Sequence, residues 1–304
     1  MRSKCLYILS CLMMVLAVFP SRAIGKRKDL KPYLEVRIDR KNVVEGERLI
    51  YEVALVSPEA SVAGVELLST PDFGELPYSR SAPDNNLTEV VVDGDKYYTA
   101  VIDRYFVGVN NKGKNSIKGG VYKIGFDRMV KVQYPFWGAT VQNRLETMNL
   151  KASDVTLKVS PLPEKGRPDF FSGAVGQFEI MSIPPEGKLR AGEDYLMTVN
   201  ISGIGDLTDT PLPDIRSAFP PEIQFKSMTE DRSHYVKAGK LGSEIELECV
   251  IHPKKGGEYV VKEMEFTYFN PFSGKYEVAK SPEVKIFVDD SSSGDGQPPV
   301  IIDV

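Results

Sequence analysis

Short runs in which apolar and polar residues alternate set the strongest limit on how this chain can fold. Residues 34–39, 155–159 and 283–288 each follow this period of two. A period of two buries one face of a strand and leaves the other in water, as in antiparallel sheets. Beyond the N-terminal region, we find no long amphipathic helical pattern. The sequence therefore predicts an all-β fold.

Turn signals separate these runs. Residues 92–96 and 110–113 are rich in Gly, Asn and Asp, which tolerate the positive φ angles of tight hairpins. The Asp93-Gly94-Asp95 segment could also begin a calcium loop, but it lacks the further oxygen ligands that calcium needs. We therefore interpret it as a hairpin turn. Many short strands with frequent turns are typical of β-sandwiches.

The chain also repeats itself. Three motifs recur in the same order, and each copy then ends in an alternating strand: 45–47 recurs as 191–193, 118–122 as 255–259, and 134–138 as 270–274. The pattern predicts two copies of one immunoglobulin-like antiparallel β-sandwich. The number of residues between equivalent motifs decreases from the first pair to the last. This decrease places about ten extra residues in the first copy, between its Gly-Glu turn and its Gly-Gly hairpin.

A proline-rich segment predicts the domain boundary. Residues 161–168 contain three prolines, which favour an extended and fairly stiff linker. We place the first sandwich at 24–160 and the second at 169–288. The tail, 289–304, starts with small polar residues and is predicted to be disordered. Its apolar end could add as a strand to a partner's sheet, or could be a loose terminus.

The N-terminus has the features of an export signal. Arg2 and Lys4 precede an apolar run at 5–19, and small residues precede a cleavage site after Ala23. The run is short for a membrane span. We therefore predict a signal peptide at 1–23 and a periplasmic or secreted mature protein. An uncleaved anchor and a lipoprotein site at Cys11 are the alternatives.

Charge and motif content argue against several functions. Losing the three positive charges of the signal changes the net charge from −4 to about −7 (−4 − 3), and no basic stripe follows. We therefore expect no nucleic acid partner and a membrane reached only through partners. The signatures of serine hydrolases, zinc proteases, phosphate loops and redox pairs are absent from the sequence, so we expect no catalytic residue, cofactor or metal. We interpret Cys249 as a buried structural residue.

Two groups of residues are candidates for binding a partner. Phe136, Trp137, Phe269 and Phe272 lie in or beside turns, where aromatic side chains can anchor a complex or close the end of a sandwich core. Asp206 and Asp209 lie in a Gly- and Pro-containing loop at 203–211. Their carboxylates could reach a partner or could cap their own turn.

Several segments of the second copy resemble one family. They are residues 162–168, 171–178, 201–207 with 212–213, and 268–276. In these the chain resembles the BatD, or aerotolerance, family. The resemblance implies a periplasm-facing protein with immunoglobulin-like domains and no catalytic role. It also implies encoding beside membrane proteins with von Willebrand A domains, and a role in oxygen or stress tolerance.

The chain departs from that family in three ways. It has one sandwich fewer than longer relatives, it lacks their C-terminal membrane helix, and Asp206 stands where they usually have Asn. Our leading hypothesis is a non-catalytic envelope module that binds von Willebrand A-domain proteins. If such a domain is the partner, a loop carboxylate could reach its metal ion, and the alternative is that Asp206 or Asp209 only caps its own turn. A carbohydrate- or surface-adhesion module is the alternative. An enzyme is the third hypothesis, because a fold does not exclude an activity.

Overall fold

The structure, a computed structural model, describes residues 30–83, 86–110 and 113–290. The predicted signal peptide lies outside these residues, as do residues 291–304 of the predicted tail. The start of that tail is corrected: Asp289 is the last residue of the final strand, and its carbonyl accepts a hydrogen bond from the Ala191 N–H at 2.9 Å. The described chain is built from β-strands, with one short 3-10 helix at Arg216–Ala218. In this part of the chain no helix is long and apolar enough to cross a membrane.

The first half forms three sheets. Its strands are β1 (Tyr33–Ile38), β2 (Asn42–Val44), β3 (Glu47–Ser57), β4 (Val62–Ser69), β5 (Tyr78–Ser81), β6 (Thr88–Val92), β7 (Asp95–Val109), β8 (Gly113–Ile117), β9 (Val121–Tyr134), β10 (Gly138–Lys151) and β11 (Val155–Ser160). One sheet has the order β1-β3-β7, and both β5 and β6 pair with β7. The other two have the orders β2-β11-β8 and β10-β9-β4.

The second half repeats this plan. Its strands are β12 (Gly176–Ile183), β13 (Leu189–Arg190), β14 (Tyr195–Gly205), β15 (Ile223–Lys237), β16 (Lys240–Pro253), β17 (Gly257–Val261), β18 (Glu265–Asn270), β19 (Lys275–Lys280) and β20 (Val284–Asp289). The sheets are β12-β14-β16-β15, β13-β20-β17 and the hairpin β18-β19.

The strand order of both halves is immunoglobulin-like. In each half one sheet follows the spatial order A-B-E-D of an immunoglobulin sandwich. Strands β1, β3 and β7 take the places A, B and E in the first half, as β12, β14 and β16 do in the second. The strand that forms a hairpin with E, which is β6 or β15, lies at the edge. In each half the short second strand also pairs parallel with the last one, β2 with β11 and β13 with β20. The chain is therefore a tandem of two sandwiches of the same topology.

Glycines in equivalent turns support the repeat. Gly46 and Gly192, which precede the long strands β3 and β14, have φ angles of 90° and 87°. Gly138 and Gly274, in the turns of the β9–β10 and β18–β19 hairpins, have φ angles of 80° and 67°. Positive φ is readily available only to glycine, so both copies use it at the same places.

One landmark of the sequence repeat is wrong. The pair Gly119-Gly120 lies between β8 and β9, whereas Gly256-Gly257 lies at the start of β17, with Gly257 as its first residue. Since β17 corresponds to β8, the true equivalent of Gly257 is Gly113, which also has a positive φ. The first copy has its Gly-Gly pair in the loop after β8, whereas the second copy has its pair at the start of the equivalent strand. Residue composition alone does not distinguish these two positions.

The extra length of the first copy is also placed differently from the prediction. Strands β9 and β10 have 14 residues each, whereas β18 and β19 have six each. The hairpin of the first copy is therefore longer by eight residues on each strand (14 − 6). The extra residues lie mainly in this hairpin, after Gly120, and not before it.

Each half has its own cluster of buried apolar residues. In the first, alternate residues of β3, among them Leu49, Tyr51 and Val53, face the opposite sheets. In the second, β14 and β16 do the same with residues such as Ile201 and Leu247. The period of two in the sequence thus becomes the inward face of each sandwich.

The first core also encloses a carboxylate. Asp103 is 0% exposed, and its Oδ2 accepts hydrogen bonds from the hydroxyls of Tyr105 at 2.8 Å and Tyr122 at 2.9 Å. Its Oδ1 accepts from Arg80 Nε at 2.8 Å and from the Arg104 backbone N–H at 3.1 Å. Burial, together with the neighbouring carboxylate, raises the pKa of both tyrosines. They therefore act as hydrogen-bond donors that satisfy the buried charge.

Candidate protein-binding surfaces

The long hairpin of the first sandwich projects beyond its sheet. Strand β4 pairs with β9 only as far as Val62 opposite Phe126. Beyond that point β9 and β10 continue alone, paired without a break up to Tyr134 opposite Gly138. We call residues 127–146 the ribbon. At about 3.4 Å per residue, its strands extend on the order of 25 Å past Phe126.

The tip of the ribbon is aromatic and open to solvent. Phe136 is 92% exposed and Trp137 is 90% exposed, and Tyr134 at the base of the turn is 40% exposed. Along the ribbon, Met129 and Leu145 are exposed as well. Large apolar side chains grouped on a convex projection are typical of a surface that another molecule covers.

The equivalent turn of the second sandwich is short, and its aromatic side chains contact neighbouring residues. The ring of Phe272 is 49% exposed and has two cations beside it, with its centroid 4.7 Å from the Arg40 guanidinium carbon and 4.8 Å from Lys240 Nζ. Phe269 is 2% exposed and packs edge-on against Tyr276, with ring centroids 5.1 Å apart. The structure thus separates the four aromatic candidates. Phe136 and Trp137 are free at the surface, Phe272 is held by cations, and Phe269 belongs to the interior.

The two acidic candidates also differ. Asp206 is engaged within the protein, where it accepts from the backbone N–H of Thr208 at 3.1 Å and from Arg48 Nη1 at 2.9 Å. His234 Nε2 lies 3.0 Å from the same carboxylate. Asp209 is exposed on the same loop. Asp206 therefore caps its own turn and contacts the first sandwich, whereas Asp209 faces solvent.

The charge of Asp206 is stabilised by these contacts. Burial acts to raise the pKa of its carboxyl group, but hydrogen bonds from Thr208 and His234 and the charge of Arg48 outweigh that effect. The net result is a pKa below the ordinary value for aspartate. Asp206 is thus ionised under ordinary conditions and is part of a contact between the two sandwiches.

That contact includes further residues, and we call the whole set the joint. It consists of Arg48, Phe106, Asp206, Thr208 and His234. The rings of Phe106 and His234 stack with centroids 6.3 Å apart. Nearby, an added Cβ on Gly46 would approach Val175 Cγ2 to 2.9 Å, so the backbone of one sandwich lies directly against a side chain of the other. The two halves therefore meet through specific contacts as well as through the linker.

The predicted linker is tied to the second sandwich. The carbonyl of Pro163 accepts a hydrogen bond from the Tyr276 hydroxyl at 2.7 Å. The guanidinium of Arg167 lies 5.2 Å from the ring of Phe171, which itself packs on Tyr276. These contacts hold the segment against the second core.

Groups with catalytic potential are occupied in structural contacts. His252 Nδ1 lies 2.7 Å from Asp194, which also binds Lys226 at 2.6 Å, and His234 belongs to the joint. Cys249 is fully buried, and burial raises the pKa of its thiol to about 11. Within the described residues, no group of three or more His, Cys, Asp or Glu side chains is placed to hold a metal ion.

A cleft of about 500 Å³ opens between the sheets of the first sandwich. Its walls are mainly apolar and include Leu55, Val65, Leu67 and Ile102. Arg80 at its edge is bonded through Nε to the buried Asp103. The cleft is an opening of the core rather than a place where acids, bases and nucleophiles converge.

The strand order defines the class of protein, a tandem immunoglobulin-like β-sandwich protein. A search by sequence finds no matching family and no matching curated protein. Among solved structures, the chain is similar to the major pilin SpaD of Corynebacterium diphtheriae, at 10% identity over 75% of this chain and 61% of the pilin, with a TM-score of 0.25. This chain thus spans about three fifths of the pilin.

Two further structures are similar at the same level. One is the type II cohesin dyad of the ScaA scaffoldin of Acetivibrio cellulolyticus, at 12% identity over 88% of this chain and 99% of the dyad, with a TM-score of 0.24. The other is the adhesin InvE of Yersinia pseudotuberculosis, at 14% identity over 84% of this chain and 58% of the adhesin, with a TM-score of 0.18. Superpositions this loose carry no argument about function, and the fold assignment rests on the strand order.

Proposed function

We propose that this protein is a non-catalytic module of the bacterial envelope that binds another protein through the ribbon. The observation that carries the proposal is the near-complete exposure of Phe136 and Trp137 at the ribbon tip. Tryptophan and tyrosine are enriched among the residues that dominate protein–protein binding energy, and they act by filling pockets of the partner. Leaving two large aromatic side chains in water is unfavourable unless a partner covers them.

The shape of the tip favours a protein partner over a glycan. Small-molecule sites are usually concave, with polar groups converging on the ligand. Here the aromatic side chains stand on the convex end of a two-stranded projection. A projection of this kind enters a groove on another macromolecule. The carbohydrate-adhesion alternative needs a cradle that the tip does not form.

From the resemblance to the BatD family, we further propose that the partner carries a von Willebrand A domain and that the system acts in oxygen or stress tolerance. Such domains often bind through a metal ion that accepts a carboxylate. Asp209 is the exposed acid of its loop, whereas Asp206 is engaged by Arg48. Asp209 is therefore the carboxylate that we assign to the partner's metal, with the ribbon as a second contact.

The ribbon can be tested by photo-cross-linking in intact envelopes. A photoreactive amino acid would replace Trp137 in one strain. In a matched control strain it would replace Phe170, which is 89% exposed but lies near the linker. We expect one discrete adduct from position 137, containing a von Willebrand A-domain protein by mass spectrometry. No adduct at 137, or the same adducts from both positions, would contradict binding through the ribbon.

The assigned carboxylate needs a separate test. Asp209→Asn should weaken binding to the purified partner domain by roughly thirtyfold to several thousandfold, because a desolvated charge contact costs on the order of 2–5 kcal/mol to lose. Chelator should weaken the original protein and leave the variant unchanged. Glu230, an acid on the second sandwich that is bonded to Arg232, is the control position for a Gln substitution. Equal affinities for the variant and the original would discard the metal bridge and leave the ribbon proposal standing.

A further inference from the structure

Strand β10 has a long backbone edge that no other strand covers in the part of the chain that the structure describes. In its sheet the order is β10-β9-β4, so β10 is terminal. Every residue from 138 to 147 is exposed. An edge of this length displays a row of N–H and C=O groups that can pair with another strand.

Proteins commonly protect such edges, and β15 shows how this chain does so elsewhere. Strand β15 is also a long terminal strand, and its pairing is interrupted by a bulge between Phe225 and Ser227. It also carries five charged residues, Lys226, Glu230, Asp231, Arg232 and Lys237. Bulges and charges of this kind discourage pairing with another chain.

Strand β10 has almost none of this protection. It pairs with β9 over all 14 residues without a register shift, and it contains no proline. Between residues 138 and 147, Arg144 and Glu146 are the charged side chains. The free edge of β10 is therefore regular and open, whereas the edge of β15 is not.

Pairing with further strands would stabilise the ribbon. Beyond Phe126 it consists of β9 and β10 alone, and no residue from 127 to 147 in these two strands is fully buried. An isolated two-stranded hairpin is marginally stable, and added strands stabilise it by pairing its edge. A second pair of strands would turn the ribbon into a four-stranded sheet.

We propose that β10 pairs antiparallel with β10 of a second copy of this chain, about a two-fold axis at Asn143. The axis lies close to the midpoint of the fully exposed stretch 138–147, and this register pairs residues 139–147 of one copy with the same residues of the other. The resulting contact is isologous, with each copy offering the same edge to the other. This proposal concerns self-association and does not depend on the proposed partner.

The side chains of β10 are self-complementary in this register. Val141 of each copy faces Leu145 of the other, which forms two apolar cross-strand pairs. Arg144 faces Gln142, and Glu146 faces Thr140, so no like charges meet. An axis one residue further along would instead place Arg144 against Arg144. A second copy is therefore the occupant that the sequence of this edge fits.

The first experiment measures proximity across the axis. The exported chain would carry Asn143→Cys and be treated with a short thiol-to-thiol cross-linker. The remaining thiol, Cys249, is buried. We expect a covalent dimer, and light scattering of the untreated protein should give the mass of two chains at high concentration. Gln133→Cys on β9 is the matched control and should give no dimer. A monomer at every concentration would overturn the proposal.

The second experiment tests the register. In Val141→Lys/Leu145→Lys, lysines face each other across the axis, and dimer affinity should fall by about tenfold or more, because like charges directly opposite are destabilising. In Val141→Glu/Leu145→Lys, each glutamate faces a lysine, and the dimer should return. Met129→Lys, exposed on β9, is the control and should leave the dimer intact.

Each outcome of the comparison between these variants either supports or overturns the proposed dimer. Since all three positions are exposed, the variants should remain folded, and a thermal melt of each would check this. A dimer that survives the double-lysine change would show that it forms through another surface, which overturns the proposal. A charge-swapped variant no better than the double-lysine variant would overturn the register at Asn143. Purified protein suffices for all of these measurements, so their failure is distinct from failure to find a partner in the envelope.

Discussion

Arg48 on β3 and Asp206 after β14 form a salt bridge between the two sandwiches, with Nη1 and Oδ2 2.9 Å apart. Their side chains are 17% and 20% exposed, so the pair is largely shielded from water and salt. Thr208 and His234 complete the contact. The bridge therefore ties the first sandwich to the loop that also carries Asp209.

A double-mutant cycle on this pair should measure a coupling energy on the order of 1–2 kcal/mol, as expected for a hydrogen bond between charged and partly buried groups. The variants are Arg48→Met, Asp206→Asn and both together, compared by urea unfolding. The control cycle uses Lys118 and Asp72, an exposed pair 3.1 Å apart, which should give a coupling of about 0–1 kcal/mol. Equal couplings in the two cycles would show that the joint adds no stability.

The contribution of Asp206 should depend on pH. Its pKa is lowered in the folded protein, so it stabilises the fold above the unfolded pKa of about 3.9 and loses that contribution as pH falls through the folded pKa. The difference in unfolding free energy between the original protein and Asp206→Asn should be largest above about pH 5 and shrink below about pH 4. A difference that stays constant down to about pH 2 would contradict this account.

Removing the buried carboxylate of the first core should be costly. Asp103→Ala leaves the hydroxyls of Tyr105 and Tyr122 without their acceptor, and the free energy of unfolding should fall by about 3 kcal/mol. Asp72→Ala, at an exposed ion pair, is the control and should change it by less than about 1 kcal/mol. Chemical denaturation of both variants would measure this. Similar values for the two would mean that water replaces the lost acceptor.

The thiol of Cys249 should be inert in the folded protein. It is fully buried, and burial raises its pKa to about 11, so almost no thiolate is present near neutral pH. Iodoacetamide should modify Cys249 only after denaturant unfolds the second sandwich, as followed by intact-mass spectrometry. Melting curves of a chain that begins at Ile24, with and without reductant, should coincide. Rapid alkylation of native protein would show that β16 opens locally.

Local features of the fold could be predicted from the sequence because they depend on near neighbours in the chain. The alternating runs at 34–39 and 155–159 lie within or overlap strands β1 and β11. The turn at Asp93-Gly94 joins β6 to β7, with φ angles of 51° and 85° that suit a tight hairpin. Strand period and turn chemistry act over a few residues, so the all-β class follows from them directly.

Burial of the aromatic candidates depended on tertiary structure. Phe136 and Phe269 both lie within or beside hairpin turns, yet one is at the tip of the ribbon and the other is in a core. The difference comes from hairpin length and from which face of β18 points inward. No local pattern reports how far a hairpin extends beyond its sheet. The two 14-residue stretches on either side of residues 135–137 were the signal for the ribbon, and sequence reasoning passed over it.

What the sequence determined by itself was the periodicity, the turns and the presence of two copies of one sandwich, because these follow from backbone geometry and side-chain polarity within each segment. Only the tertiary structure decided which side chains that are far apart in the sequence come into contact. Arg48 and Asp206 are 158 residues apart, and Asp103 finds its donors on different strands. Such contacts depend on how sheets and sandwiches pack, and packing is set by the whole chain at once.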